Sequence, residues 1–379
     1  MNSKSNSLLE TSGENAGLGV RTLRIRDFRN IASLDLELDP KFNVIHGRNA
    51  QGKTNLLESV FTLGTTRLLR DSKGSLPIRH GANEATIEAG IKGGRTELKV
   101  EFYSGTRRRA AINGLGLPRA SDLIGRLPVV CISVEDLSLV RGERADRRLF
   151  LDLEISTFSP RYLQSLATYK RAVEQRNALL RMAKEGYVPP ESFEVWEIQI
   201  AEHGAHLREA RLDFVRELSP HAMQVHETLG QGEQLTLEIL PSDDLMTSAE
   251  MLEGLEISRN ADIGRGGTSV GPHRDDLLIA INGDEVRHFG SQGQQRTAVI
   301  SVKMATLNRS AEHFGRVPVL LLDDILSDLD ERRRALLIEL VHRHADQAIL
   351  TCTEASAAGE RILSLATVWT VEGGSVSLA

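Results

Sequence analysis

The segment that most constrains this chain runs from residue 47 to residue 54 and reads GRNAQGKT. It fits the pattern G-x-x-x-x-G-K-[ST]. It follows a predicted strand at 42–46 and opens a segment at 54–63 whose apolar residues have helical spacing. In that context the backbone N–H groups of the loop and of the helix N-terminus can bind phosphate oxygens. The alternative is a glycine-containing loop that only turns the chain, and the strand–loop–helix order favours the phosphate-binding loop.

The side chains of this loop predict how a nucleoside triphosphate would be bound. Lys53 can reach the β- and γ-phosphates, and the hydroxyl of Thr54 can ligate Mg²⁺. Two glycines allow the backbone to approach an anion closely. The predicted ATP-binding residues of the loop are Gly47, Arg48, Asn49, Ala50, Gln51, Gly52, Lys53 and Thr54.

A second element supplies acids for the metal. Residues 317–322 read as an apolar strand, and Asp323 and Asp324 follow it. Because Mg²⁺ prefers oxygen ligands, Asp323 is expected to hold the ion, through water, together with Thr54. Asp324 lies where a general base could position the attacking water. Paired acids at a strand end can also be simply solvated, but a P-loop in the same chain favours the catalytic interpretation.

A third anion site is predicted at residues 291–296, SQGQQR, which open a helix expected to run to about residue 311. The hydroxyl of Ser291, the N–H of Gly293 and the helix N-terminus can together bind an anion. Ser is also an ordinary N-cap residue, so this segment alone is weak evidence. Its position between the P-loop and the acidic strand, 32 residues before Asp323, makes the signal specific.

Length, cysteine content and hydropathy limit the class of protein. The chain has 379 residues, enough for two domains or for one domain with a large insertion. Its two cysteines, Cys131 and Cys352, are too few for a disulfide framework, and no apolar run is long enough to span a membrane. Residues 1–20 lack the basic start and apolar centre of a signal peptide. We therefore expect a cytoplasmic protein, with no membrane partner, that begins with a disordered leader at 1–20.

The distribution of charge matters more than its total. The net charge of -6 argues against a nucleic-acid partner, yet residues 106–184 hold 15 Lys/Arg against 8 Asp/Glu, a net of +7. Phosphate contacts from such residues give salt-dependent binding that is independent of base sequence. For any one arginine the alternative is a solvated or salt-bridged surface residue. The candidate DNA contacts are Arg107, Arg108 and Arg109 on a predicted strand, and Arg141, Arg144 and Arg148 on a predicted helix face.

Several motifs in one order make the chain resemble the RecF family of bacterial recombination-repair proteins, within the ABC-type ATPases that include the SMC proteins. The resemblance covers the chain from about Arg21 to its end. The motifs are RDFRN at 26–30, the P-loop at 47–54, VEDL at 134–137 with Arg147 and Arg148, GPHRDD at 271–276, the SQGQQR signature, the acidic strand end, and SDLD at 327–330 as the D-loop.

This resemblance implies an α/β fold with an ABC-type ATPase head. A P-loop mixed sheet and an antiparallel β layer are expected from residues 21–145 and 263–379. The long helical stretches between them indicate an inserted, mainly helical arm domain at 146–262. The resemblance also implies an ATP-dependent homodimer that binds DNA at gaps or stalled forks and cooperates with RecR and RecO to load RecA onto single-stranded DNA.

The resemblance assigns further roles by position. Ser291 and Gly293, with Gln294 beside them, would contact the γ-phosphate held by the other protomer's Lys53 loop. Asp330 would lie at the dimer seam, and Arg29 and Asn30 would lie close to the bound nucleotide. Lys53, Ser291 and Asp324 are thus the predicted catalytic residues. Asp324 is one methylene shorter than the glutamate common in ABC ATPases, so we expect slow, DNA-stimulated hydrolysis.

Two alternatives remain open at this point. The ATPase subunit of a membrane transporter would share the P-loop, the signature and the acidic strand. The separation of Lys53 and Ser291 by 238 positions and the basic helical insert argue against it. The other alternative is a structural clamp that binds ATP without hydrolysing it.

Overall fold

The structure, a computed structural model, describes residues 18–69, 77–105 and 108–379. The predicted leader lies outside these ranges apart from residues 18–20, and Val20 is fully buried at the start of a strand. The predicted DNA contact Arg107 also lies outside the described residues. Helices and strands are numbered in chain order below.

A six-stranded mixed sheet carries the phosphate-binding loop. Its strands are β3 (Phe42–His46), β8 (Val129–Ser133), β12 (Val319–Asp323), β13 (Ala348–Cys352), β14 (Ala366–Glu372) and β15 (Ser375–Leu378). The strand order is β15-β14-β3-β13-β12-β8, and neighbours are parallel except β14 and β15. The central strands are almost wholly buried because both faces of the sheet are covered.

An antiparallel sheet lies beside the mixed sheet. Its strands are β1 (Val20–Phe28), β2 (Ile31–Glu37), β4 (Glu84–Ile91), β5 (Glu97–Tyr103), β6 (Arg109–Ile112) and β7 (Leu115–Gly116), in the order β2-β1-β4-β5-β6-β7. Helix α1 (Lys53–Thr65) lies between the two sheets. Leu56, Leu57, Val60 and Leu63 of this helix share one core with residues of both sheets, so the loop that precedes α1 is anchored on two sides.

Helices cover the other face of the mixed sheet. They are α8 (Gln292–Phe314), α9 (Glu331–His344) and the short α10 (Glu360–Leu363). Met304 of α8 and Val341 of α9 pack in one core with Val44 and Leu322 of the sheet. The SQGQQR segment therefore opens a helix that is fixed to the same sheet as the P-loop.

The rest of the chain is mainly helical. Its helices are α2 (Ser138–Arg141), α3 (Arg144–Phe158), α4 (Pro160–Glu185), α5 (Glu191–Leu229), α6 (Ser248–Arg265) and α7 (Val286–Phe289), and a small antiparallel sheet has the order β11 (Asp284–Glu285), β10 (Asp276–Ile281), β9 (Leu235–Leu240). Helix α5 packs against α4, α6 and α8. Within the described ranges no helix is both long and apolar enough to cross a membrane.

The predicted α/β architecture, with its mixed sheet, antiparallel layer and long helices, is confirmed. Strand β3 has the predicted bounds, while β8, β9 and β15 were not predicted. The boundaries of the arm domain at 146 and 262 stay a prediction.

Buried ion pairs hold the long helices together. Arg176 of α4 is fully buried, and its guanidinium donates to Glu197 Oε1 of α5 (3.0 Å) and to Asp262 Oδ2 of α6 (2.8 Å). A buried charge is tolerated only when it is paired and hydrogen-bonded. The arginine therefore fixes the relative positions of three helices.

Replacing Arg176 with alanine should lower the free energy of unfolding by about 3–5 kcal/mol, because buried Asp262 would lose its hydrogen-bonded cation and buried Glu197 would keep only Arg259. Arg216→Ala is the matched control. Arg216 forms an exposed pair with Asp213 (2.7 Å), and such pairs contribute at most about 1 kcal/mol. Denaturant titration measures both variants, and equal losses would contradict the structural role of the buried pair.

Candidate functional site

The P-loop runs from the end of β3 to the start of α1. Gly52 is the N-cap of α1 with φ 110, and Ala50 has φ 64. Nζ of Lys53 donates to the carbonyl oxygens of Gly47 (2.7 Å) and Arg48 (3.0 Å). The loop thus curves around the lysine ammonium, which concentrates positive charge and N–H donors at the helix N-terminus.

Two turns brace the loop from outside. The carbonyl oxygen of Gln51 accepts from Asn30 Nδ2 (3.1 Å) and from Gly374 N (3.0 Å), and its Oε1 accepts from Gly373 N (2.5 Å). Asn30 belongs to the β1–β2 turn, and the glycines form the β14–β15 turn. Backbone and side chain of Gln51 are therefore both used to hold the loop.

The two residues predicted to lie near the nucleotide differ in their surroundings. Asn30 contacts the P-loop directly and also accepts from Asn55 Nδ2 (2.8 Å). The guanidinium of Arg29 donates to the buried carboxylate of Glu58 on α1 (2.9 Å). Arg29 is therefore held by an ion pair beside α1, while Asn30 lies against the loop itself.

The acidic strand end meets the P-loop at one edge of the mixed sheet. Oδ1 of Asp323 accepts from the hydroxyls of Thr54 (2.9 Å) and Thr351 (2.7 Å). The carboxyl ends of the parallel strands β3, β12 and β13 lie at the same edge, and this brings Thr54 and Asp323 together across 269 residues of sequence. The structure thus brings together the two residues that were predicted to hold Mg²⁺, and their role as ligands stays a prediction.

Asp324 has an unusual backbone conformation. Its φ of 52 is in the left-handed region, which costs a non-glycine residue free energy and is frequent at functional sites. Its N–H donates to Thr351 Oγ1 (3.0 Å), and Ser327 Oγ donates to its Oδ1 (3.1 Å). The turn therefore holds the carboxylate in place.

These residues surround a cavity of about 290 Å³. Its lining consists of Asn49, Ala50, Gln51, Gly52, Lys53, Thr54, Asn55, Val134, Glu135, Asp323 and Asp324. Val134 and Glu135 follow β8, which pairs with β12 so that Ser133 lies opposite Asp323. One wall of the cavity is thus basic and rich in N–H groups, and the other is acidic.

The oxygen atoms at the cavity fit a magnesium ion. The Thr54 hydroxyl and the Asp323 carboxylate are hard ligands that lie side by side, and Mg²⁺ usually takes one or two protein oxygens together with phosphates and water. In the described residues no group of three or more His, Cys, Asp or Glu side chains could hold a metal. The site therefore suits an ion that is shared with a phosphate ligand.

The signature residues lie on another surface. Ser291 is the N-cap of α8 and forms a capping box with Gln294: Ser291 Oγ accepts from Gln294 N (3.2 Å), and Gln294 Oε1 accepts from Ser291 N (2.8 Å). A Cβ on Gly293 would lie 3.3 Å from Nη1 of Arg333. Neither Ser291, Gly293 nor Gln294 belongs to the described lining of the P-loop cavity.

Two arginines connect the signature helix to the predicted D-loop. Arg296 of α8 donates to the carbonyl oxygen of Asp328 (3.0 Å) and pairs with its carboxylate (3.1 Å). Arg333 of α9 pairs with Asp330 Oδ2 (2.9 Å). The pKa of Asp330 lies below its ordinary value, mainly because the backbone N–H of Arg333 donates to the carboxylate and also because the guanidinium does. Arg333 therefore lies between Gly293 of the signature and Asp330 of the predicted D-loop.

The predicted DNA contacts fall into two groups with different surroundings. Arg108 donates to the carbonyl oxygen of Thr66, and Arg109 stands over the ring of Tyr103 (5.2 Å). Arg141 donates to Gln295 Oε1 (2.6 Å), Arg144 pairs with Asp276 (3.4 Å), and Arg148 donates to the carbonyl oxygen of Asp275 (2.8 Å). Several of these guanidinium groups are thus already used inside the protein, and their contact with DNA stays a prediction.

Some site residues were not predicted from the sequence. Thr351 holds both aspartates, and Gly373 and Gly374 hold the P-loop. Glu135 lines the cavity. A threonine inside an apolar strand and a Gly-Gly turn are weak signals, because their role depends on strand pairing. The VEDL motif did mark the segment of Glu135.

A P-loop at the carboxyl edge of a mixed sheet, an antiparallel sheet against its helix, and a separate signature helix define the head of an ABC-type P-loop protein. A family model described as RecF/RecN/SMC N terminal domain matches residues 19–374. The chain belongs to the RecF family.

Relatives and solved structures agree with this assignment. The DNA replication and repair protein RecF of Listeria welshimeri is 38% identical over 366 residues, covering 94% of this chain and 99% of that one, and that of Agathobacter rectalis is 36% identical over 340 residues, covering 88% and 92%. A structure described as the recombination mediator protein RecF-ATP in the RecFOR pathway has a TM-score of 0.87 at 26% identity, covering 98% of this chain and 100% of that one.

A more distant likeness concerns the fold alone. The Smc head domain of Pyrococcus furiosus has a TM-score of 0.53 at 14% identity, covering 96% of each chain. None of these comparisons supports the transporter alternative.

Gly47→Ala should disturb the P-loop. Gly47 has φ 150, and a Cβ there would lie 2.4 Å from the carbonyl oxygen of Val371 in β14, which cannot move without moving the sheet. We expect the free energy of unfolding to fall by more than about 1 kcal/mol, in a denaturant titration. Gly81→Ala is the control, since Gly81 has φ 87 with nothing within 4 Å of the added Cβ. Equal losses in both variants would show that the contact with β14 is unimportant.

Proposed function

We propose that this chain is an ATP-dependent DNA-binding protein of recombinational repair, in which ATP and Mg²⁺ join two copies into a dimer and slow hydrolysis releases them. The observation that carries the proposal is the separation of two half-sites on one chain. Lys53, Thr54, Asp323 and Asp324 surround one cavity, and Ser291 lies outside its described lining. An ATP-binding site that uses both needs a second protomer.

Each half-site has a distinct role in this proposal. The P-loop N–H groups and Lys53 bind the β- and γ-phosphates, and Thr54 and Asp323 would hold Mg²⁺, which would neutralise phosphate charge. Ser291 and Gly293 of the other copy bind the γ-phosphate through the N-terminus of α8. Support comes from the RecF relatives and from the solved RecF structure described with ATP.

Two-fold symmetry gives two such sites per dimer. ATP drives closure because it binds the dimer more tightly than the monomer. A 100-fold preference at each site would favour dimerisation by about 2.7 kcal/mol per site. Two sites therefore suffice for a switch whose state depends on the bound nucleotide.

Asp324 is the proposed general base for hydrolysis. Ser327 and the left-handed backbone hold its carboxylate at the cavity. Its side chain is short, and a misplaced catalytic group can cost on the order of 100-fold in rate. We therefore expect a weak ATPase, stimulated by DNA, that times release, with a basal turnover below about 10 per second, the typical enzyme median. A basal turnover above about 10 per second would contradict the proposal that hydrolysis only times release.

The biological part of the proposal rests on the family. The curated relatives are named DNA replication and repair proteins, and one solved neighbour is described as a recombination mediator of the RecFOR pathway. We propose binding to gapped or stalled DNA, with RecR and RecO as partners, in the cytoplasm. The excess of 15 Lys/Arg over 8 Asp/Glu in residues 106–184 supports a DNA-binding surface on this part of the chain.

Asp324→Asn should leave ATP binding and dimerisation intact and lower the hydrolysis rate by at least about 100-fold, since an amide cannot accept the proton. Phosphate release under excess ATP and Mg²⁺ measures the rate. Asp346→Asn, an exposed acid outside the cavity, is the control and should behave as wild type. A rate within tenfold of wild type for Asp324→Asn would place the base elsewhere.

Light scattering tests the proposed dimer directly. The wild type should be a monomer without nucleotide and a dimer with ATP and Mg²⁺. Lys53→Met should not bind ATP, whereas Ser291→Arg should bind ATP and stay monomeric. A wild type that stays monomeric with ATP and with gapped DNA would overturn the proposal.

A further inference from the structure

A second cleft lies at the base of the long helices, away from the P-loop. It has a volume of about 640 Å³, more than twice that of the P-loop cavity, and is within the usual range for ligand sites. Its walls are the 3-10 turn at Ala120–Leu123 with the loop that follows, the end of α3, and the first two turns of α4. Of the five predicted DNA contacts that the structure describes, Arg108, Arg109, Arg141, Arg144 and Arg148, none lines it.

The wall that carries the arginines is held firmly. Gly125 has φ 85, and a Cβ there would lie 2.7 Å from the carbonyl oxygen of Thr157 at the end of α3. Asp122 Oδ2 accepts from the backbone N–H of Arg119 (3.2 Å), and the N–H of Arg126 donates to the carbonyl oxygen of Leu123 (3.1 Å). The loop therefore presents its side chains at defined positions without needing a ligand to order it.

The rim of the cleft is cationic. Arg119 and Arg126 line it and are exposed, and Asp122, the one acid among the described lining residues, pairs with Arg119. Arg171 extends the rim, since it follows Gln164 and Ala167 of the lining on the same face of α4 and is exposed. The first twelve residues of α4, from 160 to 171, contain no acid. A polyanion would meet three cations and one already paired carboxylate.

The floor of the cleft has both apolar and polar groups. Ile124, Phe158, Pro160 and Leu163 form the apolar part. Ser156 of α3 also lines the cleft, is 5% exposed, and has a buried hydroxyl with no hydrogen-bond partner in the part of the chain that is described.

Unlike the hydroxyl of Thr157, the hydroxyl of Ser156 has no hydrogen-bond partner among the described residues. Thr157, its neighbour, donates to the carbonyl oxygen of Leu153 (2.9 Å), as hydroxyls inside helices often do. Leaving a buried polar group unsatisfied is unfavourable, so such a group in a native structure calls for an explanation. The hydroxyl is covered in this structure, and a ligand oxygen in the cleft would supply the partner once the side chain turns toward it.

We propose that this cleft binds a single-stranded segment of nucleic acid. The proposal rests on the proposed DNA-binding function and gives it a location. The backbone phosphates contact Arg119, Arg126 and Arg171, Ser156 donates to an oxygen of the strand, and the apolar floor receives the face of a base. Single-strand sites combine these features, a cationic groove with an apolar surface for the bases, whereas a duplex keeps its bases stacked inside and offers mainly phosphates.

The test compares two charge reversals of equal size in the full-length protein. Arg119→Glu with Arg126→Glu alters the cleft. Arg343→Glu with Arg361→Glu is the matched control, because both residues are exposed on α9 and α10, which cover the opposite face of the mixed sheet. Fluorescence anisotropy with a labelled oligo-dT and with a blunt duplex, over a series of salt concentrations, gives affinity and salt slope. Thermal melting and ATP binding check that both variants fold.

The cleft variant should bind oligo-dT at least tenfold more weakly than the control, with a salt slope reduced by about 0.7 for each phosphate that the protein no longer neutralises. Its affinity for the duplex should fall less. Ser156→Ala should bind oligo-dT a few-fold more weakly while its melting temperature stays equal or rises, because the unsatisfied hydroxyl is gone. If the hydroxyl had only a structural role, its removal would not lower the affinity for oligo-dT.

The outcomes separate this proposal from the proposed function. A wild type that binds neither oligonucleotide would overturn the DNA-binding function itself. Equal affinities and slopes for the cleft and control variants would overturn the cleft and leave that function standing. An equal loss on duplex and single strand would exclude the base-binding floor. Displacement of oligo-dT by poly-glutamate at equal charge concentration would show that the cleft takes an acidic peptide, and the proposal would fail.

Discussion

The hydrogen bonds to Asp323 are the interaction on which the candidate site depends. One carboxylate oxygen accepts from Thr54 at the start of α1 and from Thr351 of β13. It thereby joins the end of β12 to the P-loop and to the strand between them. Because β3, β13 and β12 are parallel neighbours, this edge forms only when the sheet is complete. The site is therefore a product of the whole head and not of the loop alone.

The same sheet also separates the two half-sites. The P-loop lies at the end of β3, whereas the signature begins α8 on the other face, next to the D-loop acids held by Arg296 and Arg333. A chain built this way has a phosphate-binding loop and an anion-binding helix that face different surroundings. A second copy related by two-fold symmetry can bring them together, which is why the proposed function requires a dimer.

The elements with a local signal were predictable from the sequence. The P-loop, the acidic strand end and the N-cap at Ser291 have fixed spacings of residues whose chemistry is apparent one segment at a time, and β3 has its predicted bounds. The contributions of Thr351, Gly373 and Gly374 depend on which strands pair, and one sequence does not reveal pairing. The roles of individual arginines could not be predicted either, because a partner such as Gln295 or Asp275 lies more than 120 residues from the arginine it contacts.

In the proposed dimer, one working site combines the P-loop of one copy with the signature of another. Mixing two variants that should each be inactive, Lys53→Met and Ser291→Arg, and measuring phosphate release tests this arrangement. A mixed dimer contains one intact pair, the P-loop of the Ser291→Arg copy with the signature of the Lys53→Met copy. The mixture should regain about a quarter of the wild-type rate if the copies pair at random. A mixture that hydrolyses no faster than the two variants measured separately would contradict this arrangement.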